Sequence, residues 1–123
     1  MDTVEVKTSE MIGLALNWSV AVSLNGSKEF FNVFGARMLG RSITNEVMDG
    51  EINPSQGWGQ IGSLIESHVT TLCSPRDGYW WAHSRGVIGE RLGDGNTALI
   101  AVCRAIVAAN LGETVSIPAE LLK

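Results

Sequence analysis

Charge is scarce in this chain, and so is cysteine. Charged residues fill 18% of the 123 positions and hydrophobic ones 45%, whereas an average soluble domain is about 25% charged. Disorder requires the opposite balance, with little apolar surface and strong net charge, so a disordered chain is excluded. A formal net charge of -4 offers no general attraction to a phosphate backbone, which argues against a nucleic-acid polymer as partner. Cys73 and Cys103 are the two cysteines and form no CxxC pair, so neither a disulfide framework nor a thiol-based metal site is expected. Both thiols suit a reducing cytoplasm, where they act as small apolar residues. Long hydrophobic runs are missing too. The stretch Met11 to Val22 is mostly apolar but falls well short of the roughly 20 residues that span a bilayer. Asp2, Glu5 and Glu10 outweigh Lys7 around its start, whereas a secretory signal begins with positive charge. The expectation is one cytoplasmic domain over residues 1–123, with no membrane association.

What is present is a pattern of mixed elements. Val4-Glu5-Val6-Lys7 alternates apolar and charged residues, the period of a half-buried strand. Thr8 or Ser9 supplies a helix cap with Glu10 in the first turn, where the helix dipole favours negative charge. That helix is expected to end near Leu24, at Asn25-Gly26. Phe30 to Phe34 and Ser42 to Thr44 are expected to be strands, with a helix over Phe30 to Leu39 as the alternative. Asn53-Pro54-Ser55-Gln56 looks like a cap, a first-turn proline and a capping box, opening a short helix through Glu66. Val69 to Cys73 and Tyr79 to His83 read as a hairpin around Ser74 to Gly78. Arg85 to Gly95 is glycine-rich and expected to be a loop. Asn96 is the expected cap of a last long helix ending at Leu111-Gly112, and Val115 to Pro118 an edge strand. The fold class is therefore α+β, an antiparallel sheet packed by about three helices in an α/β sandwich. Both long helices are apolar or small nearly all round, so each needs cover on more than one side. A homo-oligomer would supply that cover, and one is expected.

Few residues carry chemistry. Gly57-Trp58-Gly59-Gln60-Ile61-Gly62 matches GxGxxG literally, but a dinucleotide site needs a strand before it, and Asn53 to Gln56 is not one. The glycines suit close approach of a ligand or another backbone. The segment Arg85 to Thr97 is a glycine-rich entry to a helix N-terminus with Arg85 and Arg91 in reach, a setting for anion binding or simply a surface loop. Trp80 and Trp81 are adjacent, so in a strand they point to opposite faces. A base stacked on an aromatic ring gains roughly 1–3 kcal/mol, which makes Trp58 and one of that pair candidates. Trp18 fits a helix core. Arg104 sits in the middle of an apolar helix and needs a carboxylate such as Glu66 or Glu10, carbonyls, or an anionic ligand. His68 and His83 show no metal-ligand spacing, and no Gly-x-Ser-x-Gly elbow is present. Neither enzymatic activity nor a cofactor or metal is expected.

Several segments together resemble one family. They are Lys7-Thr8-Ser9-Glu10, Ala15 through Ala21, Asn53-Pro54-Ser55 with Trp58, Ile65-Glu66, and Thr97 to Ala101 with Arg104, Val107-Ala108 and Leu111-Gly112. The set is similar to the NinX-like small accessory proteins of tailed bacteriophages, nearly end to end. The family's Trp-x-x-Gly-Gly-Pro is interrupted here by Gln60-Ile61-Gly62-Ser63. The resemblance implies a non-structural phage protein acting in the host cytoplasm. By analogy with other small phage α/β sandwich proteins, it implies sequestration of a small phosphorylated ligand, a nucleotide signal of bacterial antiviral defence. In that reading Trp58 and Trp80 or Trp81 stack the base. Ser55, Gln60 and Asn96 make polar contacts, Gly59 and Thr97 line the approach, and Arg85, Arg91 and Arg104 receive phosphate. The other class is a protein-binding inhibitor or modulator of a host factor, with exposed Trp and Phe as anchors.

Overall fold

A computed structural model describes residues 2–25, 30, 33–34 and 41–122. The order is β1 (Thr3–Lys7), a 3-10 turn (Thr8–Glu10), α1 (Gly13–Leu24), α2 (Ile43–Met48) and α3 (Trp58–His68). There follow β2 (Val69–Arg76), β3 (Tyr79–Arg85), β4 (Glu90–Gly95), α4 (Ala98–Leu111), β5 (Thr114–Pro118) and a closing 3-10 turn (Ala119–Leu122). The class is α+β, as the pattern predicts. The strands divide into two antiparallel sheets, β2-β3-β4 and the pair β1-β5.

α4 is the hub. Ten of its residues are buried, from Ala98 to Ala109, because the three-stranded sheet lies on one side and α1 and the β1-β5 pair pack elsewhere around it. Glycine makes the sheet contact close. A Cβ on Gly93 would come within 2.6 Å of the Ala101 carbonyl oxygen, and one on Gly95 within 2.6 Å of the Ile100 side chain. Ala101 and Ala105 on the helix match these gaps, so β4 and α4 approach backbone to backbone. The cover that the charge-poor helix requires thus comes from its own chain.

Alternation then fixes the two faces of the sheet. Ala82 pairs with Gly93 and Trp80 with Gly95, facing α4. Trp81 pairs with Asp94, His83 with Leu92 and Arg85 with Glu90, so these six stand on the opposite face. β2 adds Cys73 beside Trp81 and Thr71 beside His83. The hairpin turns at Asp77-Gly78, Gly78 having φ +72°, and Pro75 falls in a register irregularity between Cys73 and Arg76, where its missing N–H costs no ladder bond.

Several local expectations are corrected. Phe30, Val33 and Phe34 are helical, not a strand. The two phenylalanines are four positions apart, and their rings meet edge to face at 5.2 Å, the neighbour spacing of a helix. Ser42 to Thr44 is not a strand either: Ser42 precedes α2, which begins at Ile43. Arg85 to Gly95 is mostly strand, leaving Gly86 to Gly89 as the connection; Gly93 and Gly95 serve packing rather than looping. Asn96 does not cap α4. Thr97 does, its side chain accepting a hydrogen bond from the Ile100 N–H at 3.2 Å. Pro54 to Gln56 forms a turn, and α3 starts only at Trp58, after Gly57.

Candidate functional site

The edge of β4 borders an open groove of about 830 Å³. Its β4 wall runs from Glu90 to Asp94, its floor comes from Arg104 and Ala108 of α4, and its far wall from Lys7, Thr8, Ser9, Glu113 and Thr114. The far wall joins both ends of the chain. Lys7 pairs with Thr114, the Thr8 N–H donates to the Glu113 carbonyl at 2.8 Å, and the Thr8 hydroxyl donates to the Gly112 carbonyl at 2.7 Å.

Arg104 spans the groove. Its Nε donates to the Met11 carbonyl at 3.0 Å and its Nη1 to the Asp94 carbonyl at 2.8 Å, so one guanidinium ties the two walls. Neither Glu66 nor Glu10 partners it; both partners are neutral backbone oxygens. Burial lowers its pKa, while the Asp94 charge opposes that shift. These bonds engage two of the five N–H donors of the guanidinium fork. Arg91 lies on the same groove, where its Nη1 donates to the carbonyl of adjacent Glu90 at 2.9 Å. At the outer lip, His83 Nδ1 is 3.0 Å from Glu90 Oε1. The Trp81 and His83 rings have centroids 5.4 Å apart.

Of the residues singled out in the sequence, Arg91 and Arg104 line this groove. Trp81 adjoins it through His83 and Asp94. The others lie elsewhere or are occupied. Ser55 is buried, its N–H and hydroxyl both donating to Asn17 Oδ1, at 3.0 and 2.6 Å. Gln60 folds back on its own turn, accepting from the Asn53 N–H at 2.8 Å and donating to the Glu51 carbonyl at 2.6 Å. Trp58 and Gly59 begin α3 on the surface. Trp80 packs against the core, Arg85 ends β3 exposed, and Asn96 and Thr97 precede α4. Lys7, Thr8, Ser9, Asp94, Glu113 and Thr114 were not legible as site residues, because no local spacing links positions about a hundred residues apart.

A second cavity, of about 490 Å³, lies at Arg41, Ser42, Asn45, Glu46, Met48 and Asp49. Glu46 is 1% exposed and ion-paired with Arg41. Its pKa is raised by burial and by a hydrogen bond with the Glu51 carboxyl, against the pull of Arg41. Burial also pushes the Cys103 thiol up, which leaves it inert as a nucleophile. Among the described residues no group of three or more His, Cys, Asp or Glu could hold a metal, and no helix is long and apolar enough to cross a membrane.

The family described as Bacteriophage P22, NinX matches residues 7–110. The chain belongs to the NinX family. That match takes in β4 with Arg91, Arg104 and Ala108 of the floor, and His83 and Asp94 of the lining with Trp81 beside them. Glu113 and Thr114 of the far wall lie beyond it. A search of curated proteins found no match to the chain.

Proposed function

We propose that this NinX-family phage protein is an accessory factor that binds and sequesters a small phosphorylated ligand, a nucleotide signal of bacterial antiviral defence, without transforming it. The observation that carries the reading is Arg104. A half-buried guanidinium faces an open groove with its two hydrogen bonds made to carbonyl oxygens and the Asp94 carboxylate as the nearby charge. A partly desolvated cation gains from an anion more than a solvated one does. Arg91 and Lys7 add positive charge on the two walls. The ligand would be held in the host cell, where such signals are made.

Calorimetry and thermal-shift measurements against a panel of cyclic and linear nucleotides test the reading. Binding of at least one member, with the ligand recovered unchanged, is expected. Arg91→Ala should weaken it by roughly tenfold, the loss of one charge-assisted contact, with little change in Tm, since the described bond of Arg91 is to its own neighbour. Failure of every nucleotide to bind at millimolar concentration removes the reading.

The protein-binding alternative has its own observation: Val87 is 89% exposed and Ile88 46%, an apolar loop tip of the kind used as an anchor. A stoichiometric host protein retained after Val87→Asp rules that anchor out. One lost with the substitution, alongside a nucleotide panel that stays blank, favours this second class.

A further inference from the structure

Acidic residues in the groove are at odds with a site for phosphate alone. Glu90 and Asp94 lie on its β4 wall, alongside Arg91, with Arg104 on the floor. Asp94 is close enough to Arg104 for its charge to act on the guanidinium, but the two side chains belong to different surfaces. Arg104 belongs to the floor, whereas the Asp94 side chain shares the outer face of the sheet with Trp81, its directly paired neighbour on β3. There Asp94 Oδ2 accepts from the Tyr79 hydroxyl at 3.4 Å, and Oδ1 is the acceptor left for a ligand. The Trp81 ring is half-buried and lies against His83, which with Asp94 lines the groove, so an aromatic surface stands next to the lining, beside a carboxylate that belongs to it. Trp80, one position earlier, is packed against the core, and Trp58 is on α3, outside the groove lining.

We infer that Trp81 and Asp94 form the base-recognition element of the groove, Trp81 stacking a nucleobase and Asp94 accepting a hydrogen bond from an exocyclic amine. The inference rests on phosphate being held at Arg104 and Arg91. It adds a selectivity. Bases that carry an amine on the six-membered ring where the others carry a carbonyl (adenine, cytosine) are accepted, and those presenting a carbonyl at that position (hypoxanthine, guanine, uracil) are rejected, because two acceptors then face each other. The mixed charge of the groove becomes complementary to such a ligand: cations meet phosphate and a carboxylate meets the amine.

The test is calorimetry with five probes at millimolar concentration: AMP, IMP, CMP, UMP and ribose 5-phosphate. For the wild-type protein AMP and CMP should bind at least about tenfold more tightly than IMP and UMP, as expected for a hydrogen bond to a charged acceptor. Asp94→Asn should flatten that preference, because an amide serves amine and carbonyl alike, while the backbone carbonyl that meets Arg104 stays in place. Trp81→Leu should cost AMP roughly ten- to a hundredfold, the range of one lost stack, and leave ribose 5-phosphate unchanged. Trp81→Phe should keep most of the affinity. Equal binding of AMP, IMP and ribose 5-phosphate overturns the base-recognition inference while phosphate binding in the groove stands. Binding of none of the five overturns both. The comparison among probes needs no substitution, so it decides the matter even if a variant fails to fold.

Discussion

At Gly93 one added carbon would meet the backbone of α4, within 2.6 Å of the Ala101 carbonyl oxygen and 2.8 Å of the Ala105 Cα. Neither neighbour is a flexible side chain that can turn away. Gly93→Ala is therefore expected to destabilise the fold by about 3 kcal/mol, the upper end of ordinary overpacking, measured by urea unfolding. Gly59→Ala, with open space around it, serves as the control and should be close to neutral or stabilising. Arg104 differs in kind, since its role is both structural and polar. Arg104→Met removes two charge-assisted hydrogen bonds between the walls and should cost roughly 1–3 kcal/mol, reduced to the extent that water reaches the freed carbonyls. Arg104→Lys keeps the charge but not the planar fork, and should recover part of that loss. Equal stability of all three proteins would mean that the guanidinium does not tie the walls. The sequence marks Arg104 as needing partners but not which ones: carbonyls contributed by Met11 and Asp94 leave no signature in residue type.

Among the elements, α2 carries the pH dependence. Glu46 is buried at its centre beside Glu51, Asp49 and Arg41, and its carboxyl is held above the ordinary value. The folded protein then takes up this proton at a higher pH than the unfolded chain does. Stability should rise as pH falls from the raised folded value towards the ordinary carboxylate value, and be lost as pH climbs back through it. Glu46→Gln should flatten that part of the profile in thermal unfolding followed between pH 4 and 8; an unchanged slope would assign it to another group. The surrounding sequence suggested strands here because Ile43-Thr44 is β-branched. Tertiary burial of Val47 and Glu46 on one helical face outweighs that weak local preference. β4 errs the opposite way. Its glycines look like loop punctuation until the helix that packs on them is in view.

For the whole molecule, the central position of α4 bears on assembly. The sheet, α1 and the β1-β5 pair bury it within one chain, so the burial of this helix is expected not to depend on a second copy. Tm should stay constant over a hundredfold dilution, as mass action demands for a fold independent of association. A Tm that falls on dilution would show that subunit contacts supply part of the burial. The groove also belongs to this scale, since β1 and β5 bring residues from both ends of the chain to face β4.

Composition and periodicity were enough to determine an α+β domain with apolar helices α1 and α4, a hairpin before the last helix and a closing strand, because helix and strand periods are written in local sequence. They also singled out Arg91, Arg104 and the Trp80-Trp81 pair as residues to explain. The tertiary structure decided the rest. It separated Trp80 in the core from Trp81 on the outer face, engaged Ser55 and Gln60 in internal hydrogen bonds, and set Lys7 and Glu113 opposite β4. The physical reason is that a groove is a relation between surfaces, and no local pattern records which surfaces the folding of a distant segment will bring together.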